Sequence, residues 1–127
     1  MQISPSTCLP GEAQSDPQLP LIDKDVMSDW SSDMDRADVL AILARVPEEA
    51  DRALAELDKA IAALDHDRAR RAAHRLKGMA SNLGATRLGR LARMIEIDSR
   101  SIGDVAPQMP MLRQVASDTL AALRSYG

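Results

Sequence analysis

The chain has 127 residues, the length of one domain, and 45% of them are hydrophobic, which is enough for a core. Only 2% are aromatic, so the core must be built from aliphatic side chains, and the dominance of helix formers over strand formers predicts an all-α protein. The formal net charge of −3 argues against a nucleic-acid binder, which needs a broad basic field.

Residues 1–20 contain four prolines with serine, glutamine and glycine between them, which predicts a disordered N-terminal tail. The single cysteine, Cys8, lies in this tail, so we expect neither a disulfide framework nor a thiolate metal site. The tail lacks the charged start and apolar run of a signal peptide, and no stretch approaches the length of a membrane span. We therefore expect a cytoplasmic protein that does not bind membranes.

Residues 21–31 predict a short amphipathic helix, and residues 35–64 predict a longer one. Apolar residues of the short helix recur at helical spacing: Leu21, Ile22, Val26, Met27 and Trp30. Those of the longer helix also stay in phase: Leu40, Leu43, Ala50, Leu54, Leu57, Ile61 and Leu64. Pro47 interrupts the longer helix, and we interpret it as a first-turn residue of a renewed helix or as a kink.

The next helix is predicted over residues 67–84, with Asp65 or Asp67 as its N-cap. Gly84 is expected to end it, because glycine accepts the left-handed conformation at that position. A following helix over residues 85–101 should stop at Gly103. Its inward positions are Leu88, Leu91, Ala92 and Ile95.

Pro107 and Pro110 mark the expected start of the last helix. Its inward stripe consists of Leu112, Val115, Ala116, Thr119 and Leu123. Four long amphipathic helices joined by short turns predict an antiparallel four-helix bundle over residues 21–127, with the short N-terminal helix as an addition.

His74 faces solvent when residues 67–84 are wound at about 100° per residue. The apolar stripe of this helix consists of Ala69, Ala72, Leu76, Ala80 and Leu83. His74 lies about 160° from its centre. The same outer face carries Asp67, Arg70, Arg71, Gly78 and Ser81.

Gly78 suggests a purpose for this exposed imidazole. Glycine inside a helix costs about 1 kcal/mol relative to alanine, and a solvated face has no packing need for it. One turn from His74, it leaves room for another macromolecule, and Lys77 suits an anion that forms on the ring. The residues favour a functional histidine over an ordinary surface one.

The sequence AHRLKG at residues 73–78, followed by LGA at 83–85, resembles the histidine-containing phosphotransfer (HPt) family of two-component phosphorelays. The resemblance spans about residues 21–125. It implies a helical bundle in which His74 carries a phosphoryl group between receiver-domain aspartates, without kinase activity. The implied partners are response-regulator receiver domains and a hybrid histidine kinase.

Glu96 and Arg100 form the expected second half of the site. Two antiparallel helices joined at Gly84 bring Glu96 near His74, where the carboxylate would accept a hydrogen bond from the ring. The residues alone leave this roughly even with a solvated Glu-to-Arg pair. In the HPt family a Gln or Glu in this segment orients the histidine, and a basic residue one turn later lies near the phosphoryl group. The resemblance thus favours these roles for Glu96 and Arg100.

The expected chemistry starts with attack by Nε2 of a neutral His74, with Lys77 offsetting charge on the phosphoryl oxygens. The surface expected to dock the receiver consists of Gly78, Ser81, Arg71 and Arg70. The chain has no nucleotide-binding loop, so we expect no cofactor of its own and assign Mg²⁺ to the receiver. We expect a monomer, unlike the dimerisation domains of histidine kinases.

Two alternatives stay open. One is a helical adaptor that binds receiver or kinase proteins without being phosphorylated. The other is a hydrolase or metal protein that uses His66 and His74, although no third metal ligand is evident and we interpret His66 as a surface turn residue. Met94 and Ile97 are either exposed apolar contacts or packed against the first short helix.

Overall fold

The protein is described by a computed structural model covering residues 19–125, in which every regular element is helical. The elements are α1 (Lys24–Ser31), α2 (Arg36–Ala62), α3 (His66–Leu83), α4 (Thr86–Arg93), a π-helix (Met94–Asp98), α5 (Ile102–Val105), a 3₁₀ turn (Ala106–Gln108) and α6 (Met109–Arg124). The predicted all-α class is confirmed. Most of the predicted tail, including Cys8, lies outside the described residues.

Capping residues set both ends of α3. The side chain of Asp65 accepts a hydrogen bond from the backbone N–H of Arg68 at 3.0 Å, so Asp65 and not Asp67 is the N-cap. Gly84 follows the last turn at φ 77° in the left-handed region. Its N–H and that of Ala85 bond carbonyls of the last helical turn, which would otherwise lack donors. The predicted end of this helix is confirmed.

The turn at Gly84 also holds α1 against the bundle. The N–H of Asp23 donates to the carbonyl of Gly84 at 2.6 Å, and Arg87 Nε donates to the carbonyl of Leu19 at 2.5 Å. A Cβ at residue 84 would lie 2.8 Å from the Asp23 carbonyl oxygen and 3.0 Å from Val26 Cβ. The absence of a side chain at Gly84 therefore permits the close approach of α1.

Gly84→Ala should destabilise the folded protein by about 2 kcal/mol, because alanine is strained at positive φ and its methyl group would displace α1. Chemical denaturation measures the change. Gly103→Ala is the control: its new Cβ would meet only the Ser101 hydroxyl oxygen, at 3.5 Å, and the glycine does not have a positive φ. Equal stability of the wild type and Gly84→Ala would contradict this account of the turn.

The core lies between α2, α3, α4 and α6, and each of these helices contacts two of the others, as expected for a four-helix bundle. Four alanines of α3 are fully buried: Ala69, Ala72, Ala73 and Ala80. The inward stripe predicted for the last helix is buried at all five positions. A second cluster joins α1 to the bundle through Met27, Val46, Leu83 and Leu123.

The helix α2 is continuous from Arg36 to Ala62, so Pro47 lies inside it. This excludes the interpretation that Pro47 begins a new helix. The predicted apolar stripe of α2 was wrong at its end. Leu64 does not belong to the apolar stripe: it lies beyond the helix at φ 54° and is 76% exposed, because the chain turns there towards Asp65. Leu40 is also exposed.

The two later helices also differ from their predicted bounds. The fourth helix changes from α to π after Arg93 and ends at Asp98, where Ser99 is extended at ψ 138°. The last helical region begins at Ile102, and Gly103 lies inside α5 and does not precede a break. Prolines 107 and 110 occupy first-turn positions of the 3₁₀ turn and of α6, where a missing N–H leaves no hydrogen bond unmade.

No helix within residues 19–125 is both long enough and apolar enough to cross a membrane.

Candidate functional site

His74 lies on the outer face of α3 with 65% of its side chain exposed. Its neighbours Ala73 and Leu76 are buried in the core. The backbone that carries the imidazole is therefore anchored by packing, while the ring itself faces solvent. The solvent-facing position predicted for His74 is confirmed.

The π-helix brings Glu96 to the imidazole. Glu96 Oε2 lies 2.6 Å from His74 Nδ1, and only 18% of the glutamate side chain is exposed. A carboxylate only accepts hydrogen bonds, so Nδ1 carries the proton of a neutral ring. Nε2 is then the nitrogen with a free lone pair. The predicted approach of Glu96 to His74 is present in the structure.

Lys77 forms an ion pair with the other oxygen of the Glu96 carboxylate. Its Nζ lies 2.6 Å from Glu96 Oε1, and 27% of its side chain is exposed. Lys77 thus lies along the surface towards the π-helix and does not extend into solvent. The ion pair with Lys77 lowers the pKa of Glu96, and the hydrogen bond from His74 lowers it further, against the opposing effect of partial burial. The carboxylate stays ionised and able to accept from the ring.

The lowered pKa of Glu96 predicts how the free energy of unfolding changes with pH. A carboxyl group whose pKa is lower in the folded state stabilises that state above its unfolded pKa, about 4.3 for glutamate. This stabilisation is lost as the pH falls through the lowered value. The stability advantage of the wild type over Lys77→Met should therefore be present at pH 6 and should shrink below about pH 4. Urea denaturation across this pH range measures it.

Glu56 does not obscure this comparison. Its pKa is also lowered, by the hydrogen bond from Arg68, and this effect is the same in both proteins. A difference between the wild type and Lys77→Met that did not change with pH would contradict the assigned cause of the Glu96 shift.

One stripe of α3 holds the π-helix along its length. We call His66, Arg70, His74 and Lys77 the polar stripe of α3; they are spaced by four, four and three residues. Arg70 Nε donates to the backbone carbonyl of Glu96 at 2.9 Å. His66 Nε2 lies 2.8 Å from the hydroxyl oxygen of Ser99. Among these contacts, only the bond from His74 to Glu96 was predicted from the sequence.

The prediction for His66 was wrong. It is the first residue of α3, is partly buried, and bonds a serine 33 residues away. It is not a free turn residue. Histidine and serine carry no pairing signal across such a separation, so the contact could be found only from the packing of α3 against the π-helix.

Of the arginines expected near the phosphoryl group or the docked receiver, Arg70 and Arg71 lie beside His74 and Arg100 does not. An open depression of about 380 Å³ lies beside the imidazole, lined by Asp67, Arg70, Arg71, His74, Arg75 and Glu96. Arg100 is not among these residues: it follows the extended Ser99, and its backbone N–H donates to Asp104 Oδ2 at 2.7 Å. Arg70 and Arg71 thus lie beside the ring, and the role of Arg100 at the phosphoryl group stays a prediction.

Gly78 and Ser81 are both exposed on α3 and open onto different grooves. A Cβ at Gly78 would meet nothing within 4 Å, so no packing within the described chain requires glycine there. Gly78 lines a groove between α2 and α3, and Ser81 lines one between α3 and α4. The face of α3 next to His74 is therefore accessible from both sides.

The two apolar residues of the π-helix have different environments. Met94 is partly buried and packs against the main core, whereas Ile97 is 52% exposed beside Glu96. Ile97 is thus an exposed apolar contact, and Met94 is not. Within residues 19–125, no group of three or more His, Cys, Asp or Glu side chains is placed to hold a metal ion.

Comparison with known families finds one match: the Hpt domain, over residues 41–126. The matched segment includes α3, the π-helix and α6, and therefore every residue of the polar stripe of α3. The helix α1 lies outside it. No curated protein and no solved structure gives a significant match to the chain.

Proposed function

The chain belongs to the Hpt domain family, and on that premise we propose that His74 carries a phosphoryl group between the aspartates of receiver domains. Hpt domains serve histidine phosphotransfer in phosphorelays and are phosphocarriers rather than kinases. The observation that supports His74 as the carrier is its hydrogen bond to Glu96 on a ring that is otherwise exposed.

The transfer step uses the lone pair of His74 Nε2. This nitrogen attacks the phosphorus of an aspartyl phosphate, the bond from phosphorus to the aspartate oxygen breaks, and the receiver regains a carboxylate. The product is a phosphorylated imidazolium that keeps its proton on Nδ1. Glu96 stabilises this cation, so no proton has to leave. Passing the group to a second aspartate reverses the same steps.

Charge around the ring favours an incoming phosphate. Glu96 places a negative charge next to the reaction centre, and Lys77 compensates it through the ion pair at 2.6 Å. Arg71 and Arg75 line the depression beside His74 and supply positive charge towards the phosphoryl oxygens. In this proposal Lys77 assists transfer by neutralising Glu96, a less direct role than the contact with the phosphoryl oxygens expected from the sequence.

The proposed partners are receiver domains and a hybrid histidine kinase, which dock over His74 with Gly78 and Ser81 leaving room for their approach. Mg²⁺ is proposed to come from the receiver. We propose a cytoplasmic monomer. Sedimentation should show one chain per particle, and an obligate dimer joined through α3 would contradict this.

Incubation of the protein with a receiver carrying a labelled aspartyl phosphate tests the proposal. The label should move to this protein in a form that is lost in acid and persists in base, as a phosphoramidate does. Stable binding of the phosphorylated receiver without transfer of the label would instead support the alternative of a phosphorylation-independent adaptor. Each receiver of the same organism can be tested in turn to find the cognate partner.

A further inference from the structure

Ser99 closes the turn that carries Glu96. Its backbone N–H donates to the carbonyl of Met94 at 3.0 Å, five residues back, and its hydroxyl donates to the carbonyl of Ile95. The backbone of Ser99 itself is extended, so the helix ends there. The side chain of Glu96 therefore projects from a single π-turn whose last hydrogen bonds are made by one serine.

His66 binds the hydroxyl of that serine from α3. A serine hydroxyl has one proton, and in Ser99 that proton is donated to Ile95. The hydroxyl oxygen must therefore accept from His66 Nε2–H, at 2.8 Å. His66 is a donor through Nε2, whereas His74 is a donor through Nδ1. The imidazole of His66 is itself held on the first turn of α3, which Asp65 caps.

A single π-turn needs such support because its hydrogen-bond register competes with that of an α-helix. Changing the register by one residue turns a side chain by about 100° about the helix axis, which would take the carboxylate of Glu96 away from His74. Two bonds from α3 oppose this change: Arg70 to the Glu96 carbonyl and His66 to Ser99. One acts on the backbone of Glu96 itself, and the other acts three residues later, at the end of the turn.

We propose that His66 is a positioning residue for phosphoryl transfer: through Ser99 it holds the π-turn in the register that keeps Glu96 on His74. His66 does not touch the reacting atoms. This inference rests on the proposed function of His74 and deepens it by naming a second histidine on which the same site depends.

His66→Ala and Ser99→Ala test the proposal by removing either partner of the bond. His66→Ala should slow transfer from a phosphorylated receiver about fivefold, the effect of one lost hydrogen bond. Ser99→Ala should slow it at least as much, because it also removes the hydroxyl bond to the Ile95 carbonyl. Each should also lower the fraction of His74 that carries its proton on Nδ1, measured from ring nitrogen chemical shifts. A general loss of stability would not change the tautomer of a folded histidine. Ser99→Ala carries the test if His66→Ala fails to fold.

Three comparisons complete the experiment. His66→Gln should restore the rate and the His74 tautomer, because its amide is again a donor. The double variant should be no slower than Ser99→Ala alone, since Ser99→Ala already removes the bond to His66. Gln114→Ala removes a side-chain bond to Asp118 on α6 and should leave the rate and tautomer unchanged.

Wild-type rates and an unchanged His74 tautomer in both alanine variants would overturn the positioning role. So would a loss in His66→Gln equal to that in His66→Ala. Failure of the proposed function is distinguishable, because a wild-type protein that takes no label shows it directly. The tautomer of His74 in the unphosphorylated variants still tests the link from His66 to Glu96.

Discussion

His74→Gln is expected to abolish labelling by a phosphorylated receiver while changing the free energy of unfolding by less than about 0.5 kcal/mol. Glutamine has no nucleophilic ring nitrogen, so no phosphoramidate forms. Its amide still donates hydrogen bonds, and the position is largely exposed, so neither Glu96 nor the core is left without a partner. Labelling and chemical denaturation of the same preparation measure the two effects.

His66→Gln is the matched control for this experiment, since it replaces the protein's other histidine by the same residue. It should still take the label. Retention of the label by His74→Gln would place the phosphoryl group on another residue and would contradict the assignment. An acyl phosphate on an aspartate would then be recognised by its loss in base.

Replacing Gly78 by phenylalanine should reduce transfer from a receiver at least tenfold, with no loss of stability. The residue is exposed, and a Cβ there meets nothing within 4 Å, so the folded chain accommodates a side chain. Alanine should stabilise the helix by about 1 kcal/mol. A large side chain would instead occupy the space that a receiver must enter to reach His74, raising the barrier to docking.

A size series at Gly78 separates docking from chemistry. Transfer rates should fall from glycine through alanine and glutamine to phenylalanine, while the unfolding midpoints stay at or above that of the wild type. Phosphorylation by a small-molecule donor, where detectable, should fall much less because such a donor needs little space. A normal rate of transfer from a receiver to Gly78→Phe would refute the steric explanation.

The bundle was predictable because its signals are local. Apolar residues at helical spacing identify the buried face of α3, and the capping residues Asp65 and Gly84 mark its ends. His74 could be placed on the outer face by the same periodicity. The HPt motif supplied the family, which the match over residues 41–126 confirms.

The π-helix could not be read from the sequence. The α3 residues that contact Glu96 and Ser99 lie 19 to 33 residues away along the chain, so no local pattern indicates π hydrogen bonds over residues 94–98. The exposure of Leu64 has a similar cause. Its apolar side chain is in phase with the stripe of α2, but the helix ends at Ala62 and the turn rotates Leu64 out of that stripe.

The direction of Lys77 was also beyond sequence analysis. A helical wheel places it beside His74 but does not show where a long flexible side chain ends. The structure shows that it ends on Glu96, whose carboxylate is largely withdrawn from water. A carboxylate in that environment is costly without a cation, so the pairing follows from the burial of Glu96 and not from the position of Lys77.

The fully buried alanines on the inner face of α3 restrict which mutations a population of organisms could accumulate there. Each additional methylene would have to displace a neighbouring helix, at about 1–3 kcal/mol per overpacked site, and would shift α3 relative to the π-helix. The outer face is restricted for another reason, because His74 and Glu96 must meet and a partner must approach. Neutral drift in α3 is therefore confined to the positions between these two faces, such as exposed Asn82.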